Sequence, residues 1–274
     1  GNCNTTQCVS VTVLVTGTFT ICSGQQVTMT PNGGSGGTGA AFKWYAGGCG
    51  SGSVLFTGSP YVVSPTTTTT YYVRREGTCN NTGCASVQVI VNTLSTAATS
   101  VSGTNTICTG GATTLTLSGG SLGTGGVWNW YSGNCTTGTF VGSGTSITVS
   151  PTVTTTYYVR AEGVCNTTGC VSRQVTVNAD PTVSISANIT TICTGGSVVF
   201  TQTTGGGAGT ITNQWQYSTD GVNWTNWTTT TNPTYSNITG NMFFRCVRSA
   251  TGADCGTAIS NTIQVSVVPD PVIQ

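Results

Sequence analysis

The sequence predicts an all-β chain of tandem β-sandwich modules set in an extended array. Three observations predict it: short alternating apolar and polar runs, a gapless 86-residue repeat, and 13 cysteines that largely follow that repeat. The runs include "VTMT" at Val27, "FKWY" at Phe42, "YYVR" at Tyr71 and "VQVIV" at Val87. Gly-, Asn- or Pro-rich turns separate them, and no long stretch holds a 3.6-residue period. Alternation with period two is the mark of a strand with one face buried.

The repeat defines the modules. Sliding the chain by 86 residues lays Cys22, Cys49, Cys79 and Cys84 on Cys108, Cys135, Cys165 and Cys170. Trp44-Tyr45 falls on Trp130-Tyr131, and "TTTTTYYVRREGTCNNTGC" on "TVTTTYYVRAEGVCNTTGC". Residues 16–92 form one module and residues 93–178 its repeat. Residues 1–15 match the last hairpin of such a module, since "CNTTQCVSVTVLV" parallels "CNNTGCASVQVIV". Residues 179–268 form a divergent module, and residues 269–274 read as a linker to a following one. Modules of this length with seven short strands fit an immunoglobulin-like sandwich. Trp44, Trp130 and Trp215 occupy the third strand, where such a sandwich buries an aromatic.

Elements follow in order along each module. The Thr run from Thr66 is β-branched, resists helix and favours extended chain. The Tyr pair after it starts a strand with one ring inward and one outward. "NNTG" at Asn80 reads as a tight hairpin turn with Cys79 and Cys84 opposite each other. That reading pairs Cys79 with Cys84, Cys165 with Cys170, and Cys3 with Cys8. The turn before the second strand and the end of the third strand then share a pole, which pairs Cys22 with Cys49 and Cys108 with Cys135. In the divergent module Cys246 and Cys255 bridge the last hairpin. Cys193 is left unpaired or intermodular.

Composition narrows the chemistry. There is no His, so Ser-His and Cys-His nucleophile pairs and His-ligated zinc are excluded. The six acids are scattered, and none forms a close pair for glycoside hydrolysis. The cysteine spacing lacks a second pair at zinc-finger distance. The Gly runs at Asn32 and Thr204 lack the Lys-Ser/Thr of a phosphate loop. No catalytic residue, cofactor or metal site is expected. A net charge of +1 gives no field to steer nucleic acid, and no apolar run is long enough for a membrane span. The cysteines imply an oxidising compartment. Trp224 and Trp227, in a polar turn-like stretch, are candidate carbohydrate contacts.

"ICSG", "KWYAGGCG", "SPTTTTTYYVR" and "CNNTGC" resemble the immunoglobulin-like repeats of giant secreted surface proteins in gliding Bacteroidota. "QWQYSTDGVNW" and "FFRCVRS" resemble a sister repeat type that alternates with them. The resemblance covers nearly the whole chain. It implies export to the bacterial cell surface by the type IX system and a non-catalytic role in adhesion or gliding. The expected partners are neighbouring modules, identical chains in a fibre, and surface polysaccharide. Two alternatives remain open: a carbohydrate-binding array, and an accessory region of a secreted polysaccharide-degrading enzyme.

Overall fold

The computed structural model describes residues 13–269 except residues 18, 36, 79 and 252–254. The described residues form strands and turns only, and no helix occurs among them. The first module holds β1 (Leu14–Thr16), β2 (Thr20–Cys22), β3 (Val27–Asn32), β4 (Ala41–Ala46), β5 (Phe56–Thr57), β6 (Tyr61–Val63), β7 (Thr69–Glu76) and β8 (Ala85–Asn92). One sheet has the order β1-β3-β6 and the other β2-β8-β7-β4-β5. The opening strand is thus split. Its first part pairs antiparallel with β3, and its second part runs parallel to β8.

The second module repeats this plan with β9 (Ser100–Ser102), β10 (Thr106–Cys108), β11 (Thr113–Ser118), β12 (Val127–Ser132), β13 (Thr139–Ser143), β14 (Ser146–Val149), β15 (Thr155–Glu162) and β16 (Val171–Asn178). The sheets are β14-β11-β9 and β10-β16-β15-β12-β13.

The third module holds β17 (Thr182–Ala187), β18 (Thr191–Cys193), β19 (Gly196–Gly205), β20 (Ile211–Ser218), β21 (Thr225–Thr228), β22 (Thr234–Ile238), β23 (Met242–Ala250), β24 (Thr257–Ile259) and β25 (Ile263–Val268). Its sheets are β17-β19-β22 and β18-β25-β23-β20-β21, with β24 added on β23.

Packing divides the chain into two compact units. One comprises Gly1–Thr99, Gly119–Asn129 and Arg160–Cys170. The other comprises Ser100–Ser118, Trp130–Val159 and Val171–Gln274.

Alternation along the strands builds each core. In β3, Val27 and Met29 turn inward while the intervening Thr28 is exposed. Val73 and Val89 lie opposite the same interior from β7 and β8. Trp44 and Trp130 are completely buried, and so is Trp215. In each Tyr pair the first ring is buried, Tyr71 and Tyr157, and the second is half-buried.

The Thr run has a further use. Thr68 Oγ1 accepts a hydrogen bond from the Val91 amide at 3.0 Å, and Thr154 repeats this with Val177 at 3.1 Å. In the third module Asn241 Oδ1 takes the role with Val267, at 2.9 Å. A side chain thus satisfies an amide on the last strand of every module.

The buried indoles differ in one respect. Trp130 Nε1 donates to the Gly144 carbonyl at 2.9 Å, whereas the buried Trp215 Nε1 has no hydrogen-bond acceptor. An unpaired buried donor is costly, and a formed bond contributes about 1 kcal/mol. Trp130→Phe should therefore destabilise its module by about 1 kcal/mol more than Trp215→Phe destabilises the third. Amide hydrogen exchange in β15 and β23 reads the modules separately; equal losses would contradict the assignment.

Candidate functional site

The chemistry of this chain gathers where one module meets the next. Last strand β8 ends at Asn92, and Cys22 stands directly beside it in the parallel register. The connection that follows has no slack. The Thr93 amide donates to Thr124 Oγ1 at 2.9 Å. Asn166 grips Ser95 from both sides, its Oδ1 accepting from the Ser95 amide and its Nδ2 donating to the Ser95 carbonyl, each at 2.9 Å. Ser95 is buried and its Oγ accepts from the Gly123 amide at 2.9 Å. A Cβ on Gly123 would lie 2.3 Å from the Thr93 carbonyl oxygen, so only glycine permits this approach. The loop before β12 and the hairpin after β15 thus clamp the connecting segment.

At the tip of that hairpin, Cys165 forms a disulfide with Cys22, with a Cα–Cα distance of 5.5 Å. The bond spans 143 residues and joins the first module to the second. The same arrangement recurs one module later. Cys108 stands beside Asn178, the last residue of β16, and is bonded to Cys255 of the third module. Cys108, Ala250 and Cys255 are buried together, with Ala208 and Ile211 packed against them. The Gly207 amide donates to the Ala179 carbonyl at 2.8 Å and holds the connecting segment. A carboxylate oxygen of Asp180 lies within 4.8 Å of both sulfurs. The sulfurs are spent on the disulfide, so this group offers no thiolate to a metal.

These bonds correct the pairings expected from the sequence. Cys165 is bonded to Cys22, not to Cys170, and Cys22 is not bonded to Cys49. Cys108 is bonded to Cys255, not to Cys135, and Cys255 is not bonded to Cys246. The hairpin register explains the first error. Glu162 faces Thr167 in an isolated bridge, and the Gly163 amide donates to the Asn166 carbonyl at 3.0 Å. The turn is therefore centred on Val164–Cys165, and Cys165 points off the tip instead of across the hairpin.

In the first module Glu76 likewise faces Asn81, and Cys84 is bonded to Cys49, not to Cys79. Cys79, Cys3 and Cys8 lie outside the described residues. The loop carrying Cys49 folds back over the outer face of its sheet. Gly50 approaches Arg74 so closely that a Cβ would lie 2.4 Å from the guanidinium. This takes Cys49 away from the pole of Cys22 and brings it beside Cys84. The loop closed is 35 residues, worth roughly 3–4 kcal/mol on the chain-entropy account. Cys135 and Cys170, the repeat counterparts of Cys49 and Cys84, are also disulfide-bonded.

Cys246 is a free thiol. It sits mid-strand in β23 opposite Trp215 and is fully buried in the core. Burial pushes its thiol up to about 11, so it packs as an apolar side chain. Cys193 is free and exposed.

The structure does not bring Trp224 and Trp227 together. Trp227 turns inward and meets Phe200, Tyr235 and Phe244 edge-on, at 6.5, 4.8 and 6.3 Å between centroids. Trp224 lies under the Arg245 guanidinium, 4.1 Å from its ring centroid. Arg245 follows the buried Phe244, so the two indoles occupy opposite faces of their sheet.

One ionic cluster forms beside β4 and β7. Glu76 accepts from Tyr45 Oη, from Lys43 Nζ at 2.9 Å and from Arg74 Nε at 2.8 Å. At the repeat positions Asn129 replaces Lys43 and donates to Glu162 at 2.8 Å, while Arg160 donates to the same carboxylate at 2.6 Å. The Tyr45 hydrogen bond, followed by those from Lys43 and Arg74, lowers the Glu76 carboxyl to about 2. Burial, then Glu76, raises the Tyr45 phenol. A carboxylate held ionised with its lone pairs engaged serves neither as general acid nor as base.

Two outcomes follow. Peptide mapping without reduction should recover Cys22 with Cys165, Cys49 with Cys84 and Cys108 with Cys255, and Cys22 linked to Cys49 would refute the junction. Because the folded Glu76 carboxyl lies at about 2, below its ordinary 4.5, its contribution to stability is complete above pH 4.5 and lost as pH falls through 2. Protection of the β7 amides from hydrogen exchange should weaken over that window in the native chain, and Glu76→Gln should reduce the pH dependence.

Residues 9–92 and 96–181 match the family described as "Ig-like domain CHU_C associated". Residues 182–269 match the family described as "Domain of unknown function (DUF8696)". No curated protein matches the chain. Among solved structures, the mouse nectin-like molecule 4 ectodomain (Ig1–Ig3) aligns at 12% identity and a TM-score of 0.41, over 93% of this chain and 99% of that one. Sidekick-1 immunoglobulin domains 1–5 align at 9% identity and a TM-score of 0.44, over 97% of this chain and 60% of that one. At these scores the likenesses carry no argument of their own. Two family matches together span more than half of the sequence, and the chain belongs to the Ig-like domain family associated with CHU_C.

Proposed function

We propose that this chain is a stretch of the force-carrying shaft of a long, secreted bacterial surface protein, non-catalytic and engaged in adhesion or gliding. The observation that carries this reading is the pair of bonds Cys22–Cys165 and Cys108–Cys255, each joining one module to the next. Tandem immunoglobulin-like modules with disulfides suit a structural or adhesive extracellular segment. The finer assignment, to surface adhesins of gliding Bacteroidota exported by the type IX system, rests on the repeat motifs.

The bonds have a mechanical consequence. Under tension along the chain, length is limited by the shortest covalent path. One covalent path crosses from Cys22 to Cys165, runs back along the chain to Cys108, and crosses to Cys255. No more than the segment between Cys108 and Cys165 can be drawn out, whatever else unfolds. The 143 and 147 residues enclosed by the two bonds overlap, so each bond also guards part of the loop closed by the other.

Single-molecule stretching of the chain tests this. Without reductant the stretch from Cys22 to Cys255 should extend by no more than the segment between Cys108 and Cys165. With reductant, unfolding should release on the order of several hundred ångströms more, at roughly 3.5 Å per residue. Equal extension in both conditions would remove the mechanical role.

A further inference from the structure

We propose that Cys193 is the covalent attachment point for the immunoglobulin-like module that packs against β18 and the end of β25, through the cysteine at the tip of that module's last hairpin. The proposal extends the reading of the chain as part of a longer array.

The argument rests on three equivalent strands within one molecule. β2, β10 and β18 all read Thr-Ile-Cys. Each runs parallel to the last strand of its module, and the cysteine stands beside that strand's final residue. The pairs are Cys22 with Asn92, Cys108 with Asn178, and Cys193 with Val268. Ile21, Ile107 and Ile192 are all buried, which fixes the direction of the cysteine that follows. The same turn comes next in each, with Gly24, Gly110 and Gly195 at φ of 80°, 79° and 83°.

In the first two instances the cysteine is bonded to the loop that ends the last long hairpin of the following module, to Cys165 on its turn or to Cys255 beside Gly256, where the second arm begins. Two independent occurrences at one structural position therefore specify the partner of the third. Cys193 presents an exposed, free thiol at that position. The place is also where the chain leaves the module, so a module following Val268 would be delivered onto it.

The partner has a stated chemistry. It carries a cysteine at the tip of a hairpin between its last two long strands, as Cys165 lies between β15 and β16. Around the bonded Cys108 lie Ala208, Ile211 and Ala250, so a small apolar surface beside the cysteine suits the seat. Bond formation takes one proton and one electron from each thiol. An external disulfide accepts both electrons and both protons and leaves as two thiols, by exchange through a mixed disulfide.

The test uses the native protein, with thiols blocked by N-ethylmaleimide at harvest and digestion by pepsin at acid pH, where exchange is suppressed. The expected result is loss of N-ethylmaleimide labelling at Cys193 and recovery of its peptide linked to a hairpin-tip cysteine of a further module. Recovery of Cys193 chiefly as the N-ethylmaleimide adduct would overturn the proposal, as would linkage to a cysteine outside the loop of such a hairpin. In a Cys193→Ser variant the partner cysteine should become alkylatable while the Cys22 and Cys108 bonds persist. If it stays unlabelled, Cys193 is not its partner. The stretching measurement reads only the bonds at Cys22 and Cys108, so either reading can fail alone.

Discussion

The split opening strand is the constraint on which the rest depends. Three residues, Thr-Ile-Cys, leave one sheet and join the other, parallel to the last strand. Burying the central isoleucine is favourable by about 2 kcal/mol and sets the facing of its neighbours. Because side chains alternate, an inward Ile107 requires Cys108 to face away from its own core. The parallel register then places that cysteine beside Asn178, where the chain departs. A cysteine so placed cannot staple its own sandwich. It is aimed at whatever module comes next, and a hairpin tip supplies the matching thiol.

The charge-poor composition fits this plan. With seven basic and six acidic residues, long-range electrostatics contribute little to how modules choose one another. Specific contacts take over. Asn166 satisfies both backbone groups of Ser95 in the connecting segment, while inside the modules Thr68, Thr154 and Asn241 each satisfy an amide on their own last strand. Threonine suits both tasks: its branched Cβ favours strand, and its hydroxyl both donates and accepts. One group of these charges converges, Lys43 and Arg74 joining the Tyr45 hydroxyl on Glu76, where half-burial makes each contact stronger than it would be in open water.

The sandwich was legible because period-two alternation is a local signal. Val27 and Met29, or Tyr71 and Val73, state their inward face within a few residues. The three buried tryptophans were legible for the same reason. The disulfide partners were not. Whether Cys165 opposes Cys170 depends on where the hairpin turns, and a shift of the turn onto Val164–Cys165 changes the partner altogether. Cys49 was misplaced because a Gly-Gly-Cys-Gly loop has enough freedom to double back over Arg74. Most of all, Cys22 and Cys165 are 143 residues apart, and no pattern within one module announces a contact with the next. The signal that was present lay in the repeat itself. Cys22 and Cys165 recur in step with the modules, as a junction between modules requires.

That distinction bears on what the junction bonds do. A disulfide closing a loop of this size contributes about 5 kcal/mol on the chain-entropy account, by restricting the unfolded chain. A bond within one sandwich would confer that benefit on the module alone. Tandem modules without such bonds behave as nearest neighbours, each able to open independently. Here the loop from Cys22 to Cys165 contains most of two modules, and the loop from Cys108 to Cys255 overlaps it. Opening the second module leaves its two ends tied to the first and third, so the chain stays short and the ends stay positioned for refolding. Stability and length are thereby separated: a module can be lost transiently while the distance along the chain is still held by covalent bonds.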